Sequence, residues 1–294
     1  MKVILFGNAE ISAELLTVLQ NSCVKTVGVV TCDRPVGCSD YKDLSASAAA
    51  YNIPCHKVIE IDYSEIANWC RLFDPDLIVC IGWSHIISRH IFDVSRHGIV
   101  GYHPSALPAN RGRHPIIWPL VLGLRETAST FFFLNERIDA GDIISQVSIP
   151  ISEGTSARTL YNQIIKSAAS QLLELMEKFV QGDVESVPQD ETACSYWRKR
   201  SVADGKIDWR MGAQNIKNLI NALSEPYGGA FFEFDGRHYT VLSCEIATPD
   251  VENVEPGKII DLVDGLYPLV KCGTDAILLR KTKPSLIVER GTYI

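Results

Sequence analysis

Lys2–Leu19 reads KVILFGNAEISAELLTVL, and two periods meet in it. Val3–Phe6 is an unbroken apolar run, the pattern of a strand buried on both faces, and Gly7 ends it. From Glu10 the spacing changes, and Ile11, Leu15, Leu16 and Leu19 fall on one face of a helix. A buried strand followed by an amphipathic helix is the repeating unit of a parallel α/β sheet. The same rhythm continues outward. Val27–Thr31, Leu77–Ile81 and His97–Tyr102 read as strands, with helical stretches at Leu44–Tyr51 and Ile66–Leu72. The spacing therefore predicts an α/β, doubly wound, Rossmann-like N-terminal domain.

Farther along, Ile116–Leu122 is a short apolar helix, and Thr130–Leu134 and Ile143–Ile149 are strands joined through NERIDAGD. Ser156–Phe179 carries Leu160, Ile164, Ala168, Leu172, Leu175 and Phe179 near a 3.6-residue period, with Thr155 or Ser156 to cap it. The composition then turns polar, with Pro188 and the basic run WRKR. We read residues 1–182 as one domain, 183–205 as linker and 206–294 as a second, smaller domain. The last opens with a helix, Ala213–Leu223, followed by short alternating runs. Asp235-Gly236 between two of them is a strong hairpin signal, and a small β-barrel is expected.

The bulk numbers agree with a globular enzyme-sized chain. It has 294 residues, 46% hydrophobic and 21% charged, enough for a sizeable core without metal or disulfide staples. Cys23, Cys32, Cys38, Cys55, Cys70, Cys80, Cys194, Cys244 and Cys272 are odd in number and contain no C-x-x-C pair. They read as reduced thiols with no metal site, in keeping with a cytoplasmic location. The N-terminal apolar run is too short for a signal peptide, and no stretch reaches membrane-span length. A net charge of −7 argues against a polyanionic partner.

The chemistry concentrates in Gly98–Ile143, GIVGYHPSALPANRGRHPIIWPLVLGLRETASTFFFLNERIDAGDI. Ligands of open α/β sheets bind outside the carboxyl ends of the strands. His103 stands at such an end, and Asp139 sits in a turn before another strand. Together they would form an acid–base pair, the carboxylate fixing the imidazole tautomer. Taken alone, each residue has a plainer reading: a His before Pro is often a loop residue, and Asp in D-x-G is often a turn former.

The segment resembles the active-site region of the folate-dependent formyltransferases. These include methionyl-tRNA formyltransferase, glycinamide ribonucleotide transformylase and the nucleotide-sugar N-formyltransferases. That family's pattern reads N-x-H-x-S-L-L-P, then R-G, then P and W, then D-x-G. His103, Ser105, Leu107, Pro108, Arg111, Gly112, Pro115, Trp118, Asp139 and Gly141 match it in order and spacing. GNAEISAELL, IGWSHIIS, YWRKRSVADGKIDW and EPYGGAFFEF extend the likeness along most of the chain. The resemblance implies that the C-terminal barrel is OB-like and that the co-substrate is N10-formyltetrahydrofolate. It implies His103 and Asp139 as catalytic residues, and a folate site built from Trp83, His85, Ile86, Ile87, Ser105, Leu107, Pro108, Arg113, Asn135, Glu136, Ile138 and Asp142.

One position departs from the pattern. Gly101 stands where the family carries the asparagine that helps hold the oxyanion. Losing one such donor typically costs about 10²–10³ in rate. A water, or the side chain of Asn110 or Ser84, would have to fill the gap; otherwise the chain is slow, or a silent binder of folate or nucleotide sugar. With a substitute donor in place, Gly101→Asn should leave activity similar or raise it.

The acceptor follows from charge and from Arg113, which extends R-G to R-G-R as in the sugar-modifying branch. Residues 206–294 hold 10 Lys/Arg against 12 Asp/Glu, poor footing for tRNA phosphates. The cluster around Arg198 and Arg200, with Asn110 and Arg111, suits one pyrophosphate better. The expected substrate is a UDP- or dTDP-linked amino sugar for surface polysaccharide biosynthesis, with methionyl-tRNA as the rival acceptor. The resemblance also leaves room for a homodimer.

Overall fold

The computed structural model describes residues 1–33 and 39–294, which divide into two compact units. Cys38 lies outside the described residues. Unit 1 comprises Met1–Pro115, Thr127–Ile149 and Tyr161–Arg198; unit 2 comprises Ile116–Glu126, Pro150–Leu160 and Lys199–Ile294. The stretch 183–205, expected as linker, is thus divided between them at Arg198.

Unit 1 begins with β1 (Lys2–Phe6), α1 (Glu10–Gln20), β2 (Lys25–Cys32), α2 (Ser45–Ala50), β3 (Cys55–Val58), α3 (Tyr63–Arg71) and β4 (Leu77–Cys80). After α4 (Arg89–Phe92) come β5 (Ile99–His103) and the two-residue β6 (Arg111–Gly112). The intervening α5 (Ile117–Val121) belongs to unit 2, and β7 (Glu126–Phe133) and β8 (Ile143–Pro150) complete the sheet. The strand order is β3-β2-β1-β4-β5-β7-β8. β1, β2, β3, β4 and β5 pair in parallel, whereas β7 runs antiparallel to β5, with His103 opposite Thr130. The order reverses between β1 and β4, the switch point at which ligands bind in such sheets.

Local chemistry explains the elements. The sequence of β4, LIVC, is buried at every position, as expected of a strand with cover on both faces. Ile4, Phe6, Val30, Ile78 and Ile99 join the core against Ile66, Ala67 and Cys70 of α3. Asp62 caps α3 by accepting from the main-chain nitrogens of Ser64 and Glu65. Ser12 ties the turn after β1 to the turn after β4: its Oγ accepts from Ala9 N at 3.2 Å and donates to Ile81 O at 2.6 Å. Burial pushes the thiols of Cys70 and Cys80 up to about 12, so both behave as small hydrophobes. All the described cysteines are free.

The chain then forms α6 (Ala157–Gln181), the two-residue β9 (Tyr196–Trp197), α7 (Ala213–Ala222), and five strands. These are β10 (Ala230–Phe234), β11 (Arg237–Ala247), β12 (Ile259–Val263), β13 (Tyr267–Lys271) and β14 (Ala276–Lys283). The hairpin at Asp235-Gly236 is present, both residues having positive φ (48° and 68°). The strands form an antiparallel sheet in the order β10-β11-β14-β13-β12. This is the antiparallel sheet that a small β-barrel would be built from, and among the described residues no ladder joins β10 to β12. Each edge is taken by another segment instead. Ile259 N donates to Thr292 O and Gly291 N to Ile259 O, both at 2.8 Å, while Ile207 N donates to Phe231 O at 2.6 Å.

No helix among the described residues is long and apolar enough to cross a membrane. Tyr161 of α6 is a single-residue tie within unit 1: its hydroxyl accepts from Ile11 N at 3.1 Å and donates to Asp40 Oδ2 at 3.0 Å. Tyr161→Phe strands a buried main-chain N–H, and urea unfolding should show a loss of about 1–3 kcal/mol with an unchanged slope.

Candidate active site

β5 carries His103 to the edge of its buried run and the loop 104–115 then folds back over it. The ring is 6% exposed. Thr130 Oγ1 donates to Ser105 O at 2.6 Å, Ser105 Oγ donates to Ala109 O at 3.2 Å, and Gln146 Nε2 donates to Leu107 O at 2.9 Å. These bonds hold the loop so that Asn110, at φ 66°, presents its carbonyl to His103 Nε2 at 3.0 Å. A carbonyl only accepts, so Nε2 carries the proton in this contact.

The other ring nitrogen faces the turn after β7. His103 Nδ1 lies 3.7 Å from Asp139 Oδ2, longer than a hydrogen bond and an ion pair only when the ring is protonated. The same Oδ2 accepts from Gly112 N at 2.8 Å. Contacts of this kind commonly tighten when substrate arrives. Asp139 sits at φ 51°, a left-handed conformation that Asp tolerates better than most residues. Two residues on, a Cβ on Gly141 would overlap Phe133 O, so only glycine lets the turn lie this close to β7.

The space beside Gly101 is filled. A Cβ placed there would run into Leu134 Cδ2 and come within 3.2 Å of Phe132 Cζ. A larger residue at Gly101 would require the half-buried Leu134 side chain to move, because its Cδ2 occupies the nearest volume. Of the two substitute donors, Ser84 has its Oγ 3.5 Å from Asn8 Oδ1. Asn110 uses its main-chain N–H and Oδ1 on Ser195 (2.9 and 3.4 Å), whereas its Nδ2 meets no acceptor among the described residues. An amide donor thus stands seven residues after His103, on the residue whose carbonyl touches that ring.

Two further loops border this site. After β4, Trp83 donates Nε1 to Tyr63 OH at 3.2 Å, and Tyr63 OH donates to Ile86 O at 2.6 Å. The Trp83 ring packs edge-on against Phe6. After β7, Asn135 Oδ1 accepts from Arg137 N at 2.8 Å and fixes the turn toward Asp139. Arg89 Nε and Glu136 Oε1, 3.7 Å apart, bring these loops together. Ile86 and Ile138 are 71% and 52% exposed, two large apolar side chains that a flat heterocycle could cover. Burial pushes the His85 imidazole down, and the Arg113 guanidinium adds to the effect.

Not every expected contact residue reaches a ligand-accessible surface. Ser105 and Leu107 are 0% and 3% exposed and support the loop from within. Ile87 packs on the core, and Pro108, next to Leu107 in the chain, is half-buried. Asp142 receives Phe133 N through its carbonyl at 2.9 Å and Ser186 Oγ through its carboxylate at 3.5 Å. Arg111 is fully buried, and Gln189, Glu191 and Tyr196 occupy its guanidinium, so it is no substrate ligand. Arg200 lies over the Trp118 ring at 5.0 Å and donates to Asp204 O at 2.7 Å. Arg198 is exposed. Sequence reasoning missed Leu134 and Gln189, because contacts across 33 and 78 residues leave no local pattern.

Residues 1–176 match the family model described as formyl transferase, and residues 199–286 match the formyl transferase C-terminal domain. Among solved structures, HypX from Aquifex aeolicus in complex with tetrahydrofolic acid is similar in fold. Its TM-score is 0.67 at 15% identity, covering 96% of this chain and 44% of that one, so the present chain spans less than half of HypX. An N-formyltransferase from Helicobacter canadensis, in complex with folinic acid and dTDP-3-aminofucose, gives a TM-score of 0.71 at 18% identity over 95% and 98% of the two chains. WlaRD, a sugar 3N-formyl transferase solved with dTDP and 5-N-formyl-THF, gives 0.70 at 19% identity over 96% and 98%.

The filled space beside Gly101 yields a prediction of coupling. Gly101→Asn should destabilise the protein by about 1–3 kcal/mol through overpacking. Leu134→Ala alone should also destabilise it by leaving a cavity. Urea unfolding of the double variant should show a loss smaller than the sum of the two by at least about 1 kcal/mol.

Proposed function

The chain belongs to the formyl transferase family, and we propose that it moves a formyl group from N10-formyltetrahydrofolate to the amine of a nucleotide-linked (UDP- or dTDP-) amino sugar. The observation that carries the reading is the approach of Asp139 to His103 at the end of a central strand, beside two loops with exposed apolar side chains. The folinic acid and dTDP-3-aminofucose bound by the Helicobacter canadensis enzyme, and the 5-N-formyl-THF and dTDP with WlaRD, support it from outside.

The residues present fit the folate. Ile86 and Ile138 offer apolar cover, and His85, Arg113 and Asn135 offer polar groups at the rim. The bound co-substrate supplies an electrophilic formyl carbon. The protein must orient the incoming amine, stabilise negative charge on the formyl oxygen, and move the proton that the amine sheds. His103 is placed for the proton, because Nδ1 carries a lone pair while Nε2–H is held by Asn110 O. Asp139 offsets the charge the ring gains, and Asn110 Nδ2 is the donor for the oxygen in place of the family amide. Arg198 is an exposed cation for the substrate's pyrophosphate.

A silent binder is the second reading, and Gly101 is its motive. Against tRNA stand the net charge of −7 and the acidic balance of residues 206–294. Incubation with formyl-folate and a panel of UDP- and dTDP-amino sugars should add about 28 Da to one acceptor, as formyl transfer requires. No gain on any sugar, together with formylation of methionyl-tRNA, would replace the acceptor; no gain on either would leave the silent binder.

A further inference from the structure

Gln189 lies in the polar stretch after α6, yet its half-buried carboxamide uses all four of its hydrogen-bonding positions. Oε1 accepts from Arg111 Nε at 3.1 Å and from Arg111 Nη2 at 2.8 Å. Nε2 donates to Asp139 O at 2.9 Å and to Gly141 O at 2.7 Å. The two carbonyls belong to the turn whose side chain faces His103.

The orientation of that amide is dictated by Arg111. A guanidinium has only donors, so it takes the amide oxygen and leaves the NH₂ group for the turn. A flipped amide would set N–H against N–H on one side and oxygen against oxygen on the other. Arg111 is itself fixed: it is fully buried, Nη2 lies 3.0 Å from Glu191 Oε1, and Nη1 donates to Tyr196 OH at 3.0 Å. Arg111 and then Arg137 hold the Glu191 carboxyl below the usual carboxylate range, so it stays an anion across the network. Arg137 pairs with Glu191 from within the Asp139 turn.

The turn needs such a clamp. Asp139 is held at positive φ, and Gly141 is pressed against Phe133 O on the side of β7. Phe133 limits the turn on one side, and the Gln189 amide draws in its carbonyls.

We propose that Gln189 is a positioning residue for formyl transfer, with Arg111 orienting its carboxamide so that the Asp139 carboxylate stays facing His103. This rests on the formyl-transfer reading. Gln189 touches no reacting atom; it acts through Asp139. Misplacing a catalytic group by about 1 Å can cost about 10²-fold in rate.

Gln189→Glu separates positioning from support. The carboxylate keeps an acceptor for Arg111, which preserves the buried network, but faces the turn's carbonyls with no donor. The variant should fold, with kcat lower by about 10–100-fold and both KM values within about threefold. In the substrate-free protein, the His103 ring nitrogen signals in NMR should shift relative to the parent. Gln189→Met, which removes donor and acceptor alike, should show the same ring shift and kcat loss. Unchanged kcat and unchanged ring signals in either folded variant would overturn the proposal, as would failure of both to fold, which would make the role structural. A parent that formylates no acceptor would defeat the formyl-transfer reading alone, and the ring signals would still decide the clamp.

Discussion

The structure depends on one approach, that of a carboxylate on a strained turn to an imidazole at the end of a parallel strand. Neither partner is placed by its own element alone. β5 delivers His103 because its preceding residues are buried, and β7 returns antiparallel beside it so that the next turn falls within reach. Gly112 N then fixes the Asp139 carboxylate, and Asn110 O fixes the far side of the ring. The left-handed Asp139, the glycine pressed on Phe133 and the bonded loop after His103 all serve to place these two groups.

Much of this was legible in the sequence, and the reasons differ by element. The apolar runs of β1, β2 and β4 announce strands because parallel strands are buried on both faces. The 3.6-residue spacing of α6 and the Asp-Gly hairpin are local signals that tertiary context leaves intact. Short elements were not legible: β3 reads CHKV, too polar and too brief to stand out, and β6 and β9 exist only because Arg111 and Tyr196 meet across the fold. The edges of the C-terminal sheet were not legible for a related reason. Nothing in the runs from β10 to β14 reveals that residues 291–294 would line one edge.

The site divides along the same line. The spacing of a long, gapped motif singles out His103 and Asp139, which lie 3.7 Å apart, and in the same motif Arg111 reads as a ligand. Charge suggested a substrate contact, but burial at 0% exposure assigns the guanidinium to the protein's own carboxylate, amide and phenol. Gly101 shows the reverse case. Its missing side chain reads in sequence as a lost catalytic group, and the structure adds that Leu134 fills the volume, so restoring the amide requires a second change. Physical complementarity at a site is a property of pairs, and a sequence shows only their members.

The most direct test of the central claim is a double-mutant cycle on kcat/KM for formyl transfer, with His103→Ala, Asp139→Ala and the pair. Groups that act as a unit are non-additive, so each single change should lose most of what the pair loses, about 10²–10⁴-fold. Losses that multiply independently, or a His103→Ala enzyme that retains its rate, would contradict an imidazole and carboxylate working together.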